Sequence, residues 1–307
     1  MSRNVSISEM HRRWRVEHVA GEDLSPSPAC PICGFGGRRE PILRLQSDPE
    51  VDYLRCPECR GASTSRLPTP DYLNRYYARY YDDAKAHFTF GNMNKFVRHL
   101  ASGIRFEDRS TLSILDFGGG DGSLALGLAR RLGRDRRVSV TIVDLSAPPA
   151  AAHSGIEVRT HQRLDQVDVK HDVVLASAVI EHLLEPGTAL RELMSLIAPR
   201  GYFYARTPYA LPLRALRSSH DLLFPMHVHD LGAEFWNRAP ARFGFVGEYV
   251  WSQPSVVEST LLADPMRTIA AHLLKLPARL ELLLARSERR DVRWRWVGGW
   301  EILLRAR

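Results

Sequence analysis

The sequence predicts an α/β fold in which a doubly wound, mostly parallel sheet follows a small cysteine-rich module. Between about residues 111 and 208, short apolar runs alternate with stretches of helical periodicity, which is the pattern of βαβ units around a parallel sheet. A glycine-rich turn joins the first apolar run to the first of these helices. All four cysteines lie earlier, between positions 30 and 59, and define the separate module.

Length and composition allow one large core, or one core with a small satellite module, within 307 residues. Hydrophobic residues make up 44% and charged residues 25%, as in ordinary globular proteins. The first residues contain no apolar signal segment, and no run approaches the roughly 18–20 apolar residues that a membrane span requires. We therefore expect a cytoplasmic protein without a membrane span.

The net charge of +7 comes from 42 basic and 35 acidic residues, and only four of the basic residues are lysines. The arginines are scattered, apart from the run between Arg286 and Arg295. Dispersed positive charge is weak evidence about partners, so RNA stays an alternative to a small-molecule partner.

The four cysteines form two C-P-x-C pairs separated by 22 residues, which is the spacing of a tetrahedral four-thiolate zinc ribbon. Gly34 and Gly61 follow the pairs and offer the conformational freedom of tight turns. Two disulfides would need an oxidising compartment, and a redox C-x-x-C would not explain two pairs. Four thiolates leave no open coordination position, so we expect a structural zinc that folds this segment. Its predicted ligands are Cys30, Cys33, Cys56 and Cys59.

Two helices are predicted to bridge the cysteine module and the sheet. The first begins at Pro70-Asp71, and the second runs from about Asn92 to Ser102. Apolar and aromatic residues recur at helical spacing in the first helix: Tyr72, Leu73, Tyr76, Tyr77, Tyr80 and Tyr81. This stripe is either packing surface or a lid whose tyrosine hydroxyl reaches a ligand.

The most informative segment is T-L-S-I-L-D-F-G-G-G-D-G-S, which begins at Thr111. An apolar strand at Leu112–Leu115 leads into a turn with glycines at 118, 119, 120 and 122, and a helix follows at Leu124–Leu132. The turn differs from the dinucleotide motif G-x-G-x-x-G, because Ser123 stands where the third glycine would be. The motif is therefore D-x-G-x-G-x-G, beginning at Asp116.

Further apolar strands follow this unit in order. The second, Val138–Val143, ends at Asp144, whose carboxylate could accept hydrogen bonds from two ribose hydroxyls or could simply cap a turn. The remaining predicted elements are strands at Ile156–Arg159, His171–Ser177 and Tyr202–Arg206, and a helix at Gly187–Ala198.

Four motifs occur in order along the chain: D-x-G-x-G-x-G, D-L-S at 144–146, V-I-E-H-L at 179–183 before Pro186, and P-R-G at 199–201. With these motifs the sequence resembles the class I S-adenosylmethionine-dependent methyltransferases. The resemblance covers roughly Leu112–Pro208, and Arg200 departs from the family's usual glycine. It implies a seven-stranded Rossmann-like sheet closed by antiparallel sixth and seventh strands, for which Phe243–Ser252 and Val297–Arg305 alternate suitably.

The resemblance also implies S-adenosyl-L-methionine as cofactor. Asp144 would bind the ribose, and Leu145 would lie against the adenine. The cofactor-binding residues that it implies are Asp116, Gly118, Gly119, Gly120, Asp144, Leu145 and Ser177.

Methyl transfer needs alignment of acceptor and methyl group, and in some cases a base. No universal catalytic residue comes with the family. His182, His227 and His229 are candidates because histidine titrates near neutrality, and His229 is preferred as the acceptor-side residue. Each could instead be a hydrogen-bonded structural histidine.

A final helix is predicted at Pro265–Ser287, kinked or broken near Pro277. Its apolar positions are Ile269, Leu273, Leu274, Leu280, Leu283 and Leu284. It could pack on the sheet, form a homodimer, or rest on a membrane surface. The expected organisation is an extension at 1–24, a zinc ribbon at 25–66, a helical bridge or lid at 67–105, and a methyltransferase domain at 106–307 with a helical insertion at 256–290.

The whole arrangement resembles a bacterial subgroup with an amino-terminal four-cysteine ribbon, associated with sugar, polysaccharide or secondary-metabolite pathways. The leading hypothesis is therefore a methyltransferase acting on a small-molecule acceptor. The first alternative is an RNA methyltransferase whose ribbon and arginines bind phosphates, although such ribbons usually contain a histidine. The second is a non-catalytic adapter that keeps the ribbon for protein contacts. It would require a damaged cofactor site, yet Asp116, Gly118, Gly120 and Asp144 are all intact.

Overall fold

The computed structural model describes residues 17–83, 92–106, 109–145, 155–215, 223–257, 264–284 and 292–307. The amino-terminal part is built from short strands, with a 3-10 turn at Gly21–Asp23 before them. The strands are β1 (Leu24–Pro26), β2 (Glu40–Ser47), β3 (Glu50–Arg55), β4 (Ala62–Thr64) and β5 (Arg66–Pro68). Strand β1 pairs antiparallel with β5, and β2, β3 and β4 form an antiparallel meander that carries the cysteine pairs.

Two helices follow, α1 (Pro70–Asp83) and α2 (Met93–Gly103), close to the predicted bounds. The Asn92 side chain caps α2 by accepting a hydrogen bond from the Lys95 amide at 3.0 Å. Tyr72 and Tyr76 are buried in one cluster with Val51 and Phe224, so this part of the tyrosine stripe is packing surface. The Tyr80 and Tyr81 side chains lie outside the described residues.

The central sheet has seven strands in the order β12-β13-β10-β9-β6-β7-β8. Their bounds are β6 (Thr111–Phe117), β7 (Arg137–Val143), β8 (Ile156–His161), β9 (His171–Ser177), β10 (Ile197–Tyr209), β12 (Gly247–Pro254) and β13 (Gly298–Ala306). Strand β13 pairs antiparallel with both β10 and β12, whereas the other pairings are parallel. The prediction of a mostly parallel doubly wound sheet is confirmed, but only β13 runs against the rest, because β12 has the direction of β10.

Helices cover both faces of this sheet, as the alternation of elements predicts. Helices α2 and α3 (Ser123–Leu132) pack on one face. The other face packs against α4 (Pro186–Ser195) and the short helices α5 (Ala233–Trp236) and α6 (Ala239–Arg242). Short 3-10 turns occur at Leu164–Gln166, Ile180–His182 and Leu211–Ala215.

Strand β10 is longer than predicted because it begins before the P-R-G turn. A register shift between Ile197 and Tyr202 absorbs Pro199-Arg200-Gly201 as an irregularity within the strand. Arg200 has a φ of +60°, the left-handed conformation that glycine adopts without penalty. The replacement of the family's glycine therefore leaves the turn intact and places an arginine in a conformation that costs energy.

The cysteine module is packed on the sheet domain rather than tethered beside it. Strand β11 (His229–Asp230) pairs with β4 and gives a four-stranded sheet in the order β11-β4-β3-β2. Buried Cys30, Ile32, Cys56 and Cys59 belong to the core cluster under one face of the central sheet. A Cβ at Gly187, in the first turn of α4, would come within 2.0 Å of the Ile32 carbonyl oxygen, so only glycine allows this approach.

The long carboxy-terminal helix α7 spans Pro265–Leu284 and continues through Pro277, so of the predicted kink or break the break does not occur. Thr268, Lys275 and Ala278 are its buried residues, whereas most of its leucines are exposed. Of the roles that the sequence left open for this helix, packing on the sheet does not account for most of its apolar positions. No helix within the described ranges is long and apolar enough to cross a membrane.

Candidate cofactor and acceptor site

The glycine turn after β6 forms an open cradle at the carboxyl end of the sheet. Gly118 and Gly120 have φ values of +70° and +53°, in the left-handed region. A Cβ at Gly118 would come within 2.4 Å of Val179, whereas one at Gly120 would meet nothing within 4 Å. The backbone at Gly120 therefore faces open space, and α3 begins just beyond it.

Asp116 lies directly beneath this turn and is buried. A Cβ at Gly119 would approach the Asp116 carboxylate carbon to 2.7 Å, which shows how closely the side chain underlies the turn. Among the described residues, the Asp116 Oδ2 atom has no hydrogen-bond partner, and burial raises the pKa of this carboxyl to about 7. A buried, unpartnered carboxylate oxygen is suited to a ligand that brings a hydrogen-bond donor or a positive charge.

Asp144 follows β7 and stands beside the same turn. Its Oδ2 atom accepts a hydrogen bond from the Gly120 amide at 2.9 Å, so the carboxylate is held at the mouth of the cradle. Leu145 is 75% exposed next to it. Ser177 ends β9, the strand on the other side of β6, and its buried hydroxyl has no partner among the described residues. The parallel register thus brings Asp116, Asp144 and Ser177 to one edge of the sheet.

A second group of side chains follows β9, beginning with Glu181 and His182 in the 3-10 turn. Ligand atoms of Glu181, His182 and His227 lie within 4.8 Å of one another. The His182 and His227 ring centroids are 4.7 Å apart, and His182 Nε2 lies 3.9 Å from a Glu181 carboxylate oxygen. Ala178, just before this turn, has a φ of +56°, and such strain in a residue other than glycine is characteristic of functional sites.

Burial governs the protonation of this group. It raises the pKa of Glu181 to about 8, lowers the pKa of His182 to about 4, and lowers the pKa of His227 well below its usual value. The histidines are therefore neutral at pH 7, and the Glu181 carboxyl is mostly protonated. Glu181 Oε2 is buried without a hydrogen-bond partner among the described residues.

Sequence reasoning selected His182 and missed its neighbour Glu181. The available signal was an acidic residue inside the apolar stretch V-I-E-H-L-L.

His229, the preferred acceptor-side candidate from the sequence, is enclosed by the protein. The residue is fully buried, with Nδ1 at 2.9 Å from the Ser63 hydroxyl and Nε2 at 2.7 Å from the Leu183 carbonyl oxygen. Both ring nitrogens are thus engaged within the protein, and burial lowers the pKa of the ring to about 4. These contacts favour the structural alternative for His229 over a role as acceptor-side base.

The four cysteine sulfurs form a compact cluster with the dimensions of a tetrahedral thiolate site. Cys30 and Cys59 sulfurs are 3.8 Å apart, Cys33 and Cys56 sulfurs are 3.6 Å apart, and all four lie within 4.8 Å of one another. Zinc–sulfur bonds of about 2.3 Å require sulfur–sulfur edges of about 3.8 Å, whereas a disulfide would be about 2.05 Å. The donor set therefore fits zinc, and the four thiols are not paired as disulfides.

The two turns that present the cysteines are closed by similar hydrogen bonds. The Gly34 amide donates to Cys30 O at 2.8 Å, and the Arg60 amide donates to Cys56 O at 3.0 Å. Gly34 and Arg60 both have positive φ, so Arg60 rather than the predicted Gly61 takes the left-handed position of the second turn. Gly61 instead makes room for packing, since a Cβ there would lie 2.7 Å from Ile32.

A buried arginine, which the sequence analysis missed, lies behind this cluster. The Arg39 side chain donates to Ser27 O through Nη2, and its Nη1 has no hydrogen-bond partner among the described residues. Burial lowers the Arg39 pKa, and the four cysteines oppose that shift through their charges. A zinc ion bound by four thiolates would carry two net negative charges, one of which the buried guanidinium would offset.

The ribbon also forms hydrogen bonds with the loop that follows β10. The Thr64 amide donates to Val228 O at 3.0 Å, and the Tyr53 hydroxyl donates to His227 O at 2.7 Å. On its other side the loop is bonded to the turn after β9, because the Val228 amide donates to Glu181 O at 3.0 Å. The loop carrying His227 is thus held between the ribbon and the Glu181–His182 turn.

Several known proteins are similar to parts of this chain. The family model described as a methyltransferase domain matches residues 86–250. The ubiquinone biosynthesis O-methyltransferase of Caulobacter sp. (strain K31) is 35% identical over 135 residues, which cover 39% of this chain and 52% of that protein. The protein of the same name from Caulobacter vibrioides is 33% identical over 152 residues, covering 44% and 57%. The chain therefore spans about half the length of the curated relatives it matches.

Among solved structures, the magnesium protoporphyrin IX methyltransferase from Synechocystis PCC 6803 with bound SAH is 17% identical. The match covers 77% of this chain and 97% of that one, with a TM-score of 0.43.

Proposed function

The chain belongs to the methyltransferase-domain family, and we propose that it transfers a methyl group from S-adenosylmethionine to a small-molecule acceptor. The observation that carries this proposal is the buried Asp116 carboxylate beneath an open glycine cradle, with Asp144 at the mouth of the cradle. These groups converge at the carboxyl ends of β6 and β7, where ligands bind in open α/β sheets.

Each chemical group of S-adenosylmethionine has a suitable residue at this site. The unpartnered Asp116 oxygen suits the cationic amino group of the methionyl part, and the Asp144 carboxylate suits ribose hydroxyls. Exposed Leu145 offers an apolar surface for adenine, and the buried Ser177 hydroxyl lies at the neighbouring strand end. When bound, S-adenosylmethionine supplies the activated methyl group, so the protein's task is alignment and proton transfer.

His182 is proposed as the residue that takes the proton from the acceptor. Its Nδ1 lies 2.9 Å from the Met226 carbonyl oxygen, which can only accept, so a hydrogen on Nδ1 would leave the Nε2 lone pair for the acceptor's proton. The Glu181 carboxyl lies 3.9 Å from Nε2 and would stabilise the imidazolium only in its ionised form, which burial disfavours. The His227 ring packs against His182, with ring centroids 4.7 Å apart. His229 contacts the Leu183 carbonyl oxygen, directly after His182, and has a structural role.

The acceptor is proposed to be a small molecule methylated at oxygen. The relatives named as ubiquinone biosynthesis O-methyltransferases support oxygen as the methylated atom. A sugar, a polysaccharide precursor or a secondary metabolite is the proposed class, on the resemblance of the whole chain to the ribbon-bearing bacterial subgroup. An acceptor screen with these classes, read out as methyl transfer, tests the assignment.

Cys30, Cys33, Cys56 and Cys59 are proposed to hold a structural zinc, since their sulfur separations match the tetrahedral edge. The proposed organisation keeps a ribbon at 25–66, a bridge at 67–105 and a methyltransferase domain at 106–307 with a helical insertion at 256–290. Strand β11 makes the ribbon and the domain interdependent, because a strand of the domain completes the ribbon's sheet.

Calorimetric titration with S-adenosylmethionine and S-adenosylhomocysteine tests the function. Zinc-replete wild-type protein is expected to bind with micromolar affinity. Asp144→Ala should bind at least about tenfold more weakly, because a charge-assisted hydrogen bond is lost. Asp135→Ala is the matched control, since exposed Asp135 precedes β7 at the opposite end of the strand and should leave binding unchanged.

Equal affinity of Asp144→Ala and wild type would remove Asp144 from the ribose role. Absence of binding in the wild type would contradict the methyltransferase proposal and favour the adapter alternative.

A further inference from the structure

Glu181, His182 and His227 form a second group of metal-ligating side chains, separate from the four cysteines. One ligand atom of each residue lies within 4.8 Å of the other two. The residues come from two segments, since the first two belong to the 3-10 turn after β9 and His227 belongs to the loop after β10. We propose that this cluster binds one divalent transition-metal ion, with zinc as the expected ion.

The contacts of His182 are those of a metal-binding histidine. Its Nδ1 lies 2.9 Å from the Met226 carbonyl oxygen, and its Nε2 lies 3.9 Å from a Glu181 carboxylate oxygen. A histidine ligand usually donates from one ring nitrogen to a carbonyl or carboxylate oxygen, which fixes the ring and leaves the other nitrogen for the metal. The Met226 carbonyl is suited to this outer contact, and Nε2 is the nitrogen on the Glu181 side.

Two further polar groups of the cluster have no partner within the described part of the chain. Glu181 Oε2 is buried without a hydrogen bond, and the Glu181 side chain is only 2% exposed. The His227 ring packs against His182 and makes no hydrogen bond to a described residue. Ring packing alone would account for the two histidines but would leave the Glu181 oxygen unsatisfied. A cation between the three groups would satisfy all of them.

The backbone that carries these ligands is fixed by hydrogen bonds. The Val228 amide donates to Glu181 O at 3.0 Å, and the Tyr53 hydroxyl donates to His227 O at 2.7 Å. Zinc bonds of about 2.0–2.1 Å give tetrahedral ligand–ligand edges of about 3.4 Å. The 3.9 Å between His182 Nε2 and the Glu181 carboxylate exceeds that edge by about half an ångström. Side-chain rotation can close this difference while the backbone stays in place.

The donor set selects the class of ion. Imidazole nitrogen suits zinc, copper, iron and nickel, whereas magnesium and calcium prefer oxygen ligands. Three protein ligands leave a coordination position open, unlike the four-cysteine cluster. The His182 side chain is 22% exposed, so an ion can enter from solvent and keep a water ligand.

Metal binding and proton transfer would compete at His182. The proposed function assigns the acceptor's proton to the Nε2 lone pair, and an ion bound at Nε2 would occupy that lone pair. The bound ion would therefore exclude His182 from acting as a base. This consequence rests on the proposed function, whereas the site itself does not.

Titration of the zinc-replete chain with Co²⁺, followed by visible absorbance and calorimetry, tests the site. Wild-type protein should bind one Co²⁺ beyond its zinc, without thiolate-to-cobalt charge-transfer bands, because no cysteine is a ligand. Glu181→Gln and His227→Ala should each weaken this binding at least about 100-fold, the upper end of the cost of losing even an outer-shell partner. The matched control is His161→Ala, a half-buried histidine at the end of β8, which should bind Co²⁺ as wild type does.

Competition and spectroscopy on the wild type keep the test independent of how the variants fold. Zn²⁺ should displace the added Co²⁺, whereas Mg²⁺ in the same excess should not. X-ray absorption of the Co²⁺ adduct should show two imidazole ligands and no sulfur. A wild type that binds no additional Co²⁺, folded variants that retain it, displacement by Mg²⁺, or an adduct without imidazole ligands would overturn the proposal.

Cofactor titration of the same samples separates this proposal from the proposed function. Co²⁺ binding without S-adenosylmethionine binding would contradict methyl transfer and leave the metal site standing. Cofactor binding without Co²⁺ binding would contradict the metal site alone.

Discussion

The two halves of the proposed active site are assembled in different ways. The cofactor half consists of Asp116, the glycine turn and Asp144, and its central contact joins Gly120 and Asp144, 24 residues apart in sequence. The acceptor half consists of Glu181, His182 and the loop with His227, and the ribbon contact at Tyr53 reaches this loop across 174 residues. The comparison teaches that the four-cysteine ribbon, the proposed zinc site, belongs structurally to the acceptor half.

Zinc removal is expected to have the largest effect of the changes considered. It should increase hydrogen exchange in the ribbon and the acceptor half while leaving the cofactor half protected. Loss of the proposed metal would leave four thiols, three of them buried, without their common partner, so the ribbon should open and release the loop that Thr64 and Tyr53 hold. After chelation, hydrogen exchange should rise at least about tenfold in residues 24–68 and 223–232 and change little in residues 111–124. Cys33→Ser should reproduce this pattern, with loss of zinc measured by elemental analysis.

Restored protection after zinc is added back is the control for that experiment. Equal loss of protection in residues 111–124 would mean that the two halves fold as one unit, and unchanged protection everywhere would contradict the ribbon's role.

Asp116→Asn probes the cofactor half alone. Removing the buried charge should weaken S-adenosylmethionine binding by about 10–100-fold, the worth of a charge-assisted hydrogen bond. Because burial raises the Asp116 pKa to about 7, the wild-type carboxylate is protonated below that pH, so affinity should fall as the pH is lowered from 8 to 6. Calorimetry across this range should show a flat profile for the variant.

Asp116→Asn is expected to weaken cofactor binding but to increase the stability of the ligand-free protein at pH 8. A raised folded-state pKa means that the fold disfavours the ionised carboxylate, so stability from this group is greatest at low pH and is lost as the pH rises through about 7. The melting temperature of ligand-free Asp116→Asn at pH 8 should therefore exceed that of the wild type. A lower melting temperature with unchanged affinity would show that Asp116 is a structural residue.

Tyr53→Phe is expected to have the smallest effect and to sharpen the link between ribbon and loop. It removes the hydroxyl that donates to His227 O at 2.7 Å, at a cost of about 1 kcal/mol of unfolding free energy. Tyr249→Phe is the matched control, since its hydroxyl also donates to a backbone carbonyl, Trp236 O at 2.6 Å, outside residues 223–232. Denaturation should report similar losses for both variants, whereas only Tyr53→Phe should increase hydrogen exchange at residues 223–232.

The face of α7 illustrates where sequence reasoning stops. The periodicity of its leucines predicts an amphipathic helix, and the helix is present. Periodicity does not say which side is covered, however, and the side that binds the protein carries Thr268 and Lys275. That choice depends on Ser255, which accepts the Lys275 hydrogen bonds and lies 20 residues away.

The sequence by itself determined the α/β class, the strand–turn–helix with Asp116 and Gly118–Gly120, and the grouping of the four cysteines. These features are encoded within a few residues, because hydrophobic period and glycine conformation act locally. Only the tertiary structure decided that His229 is enclosed, that Glu181 is buried beside His182, and that β11 completes the ribbon. Burial and long-range pairing depend on which segments meet, and pKa values and hydrogen-bond partners follow from that meeting.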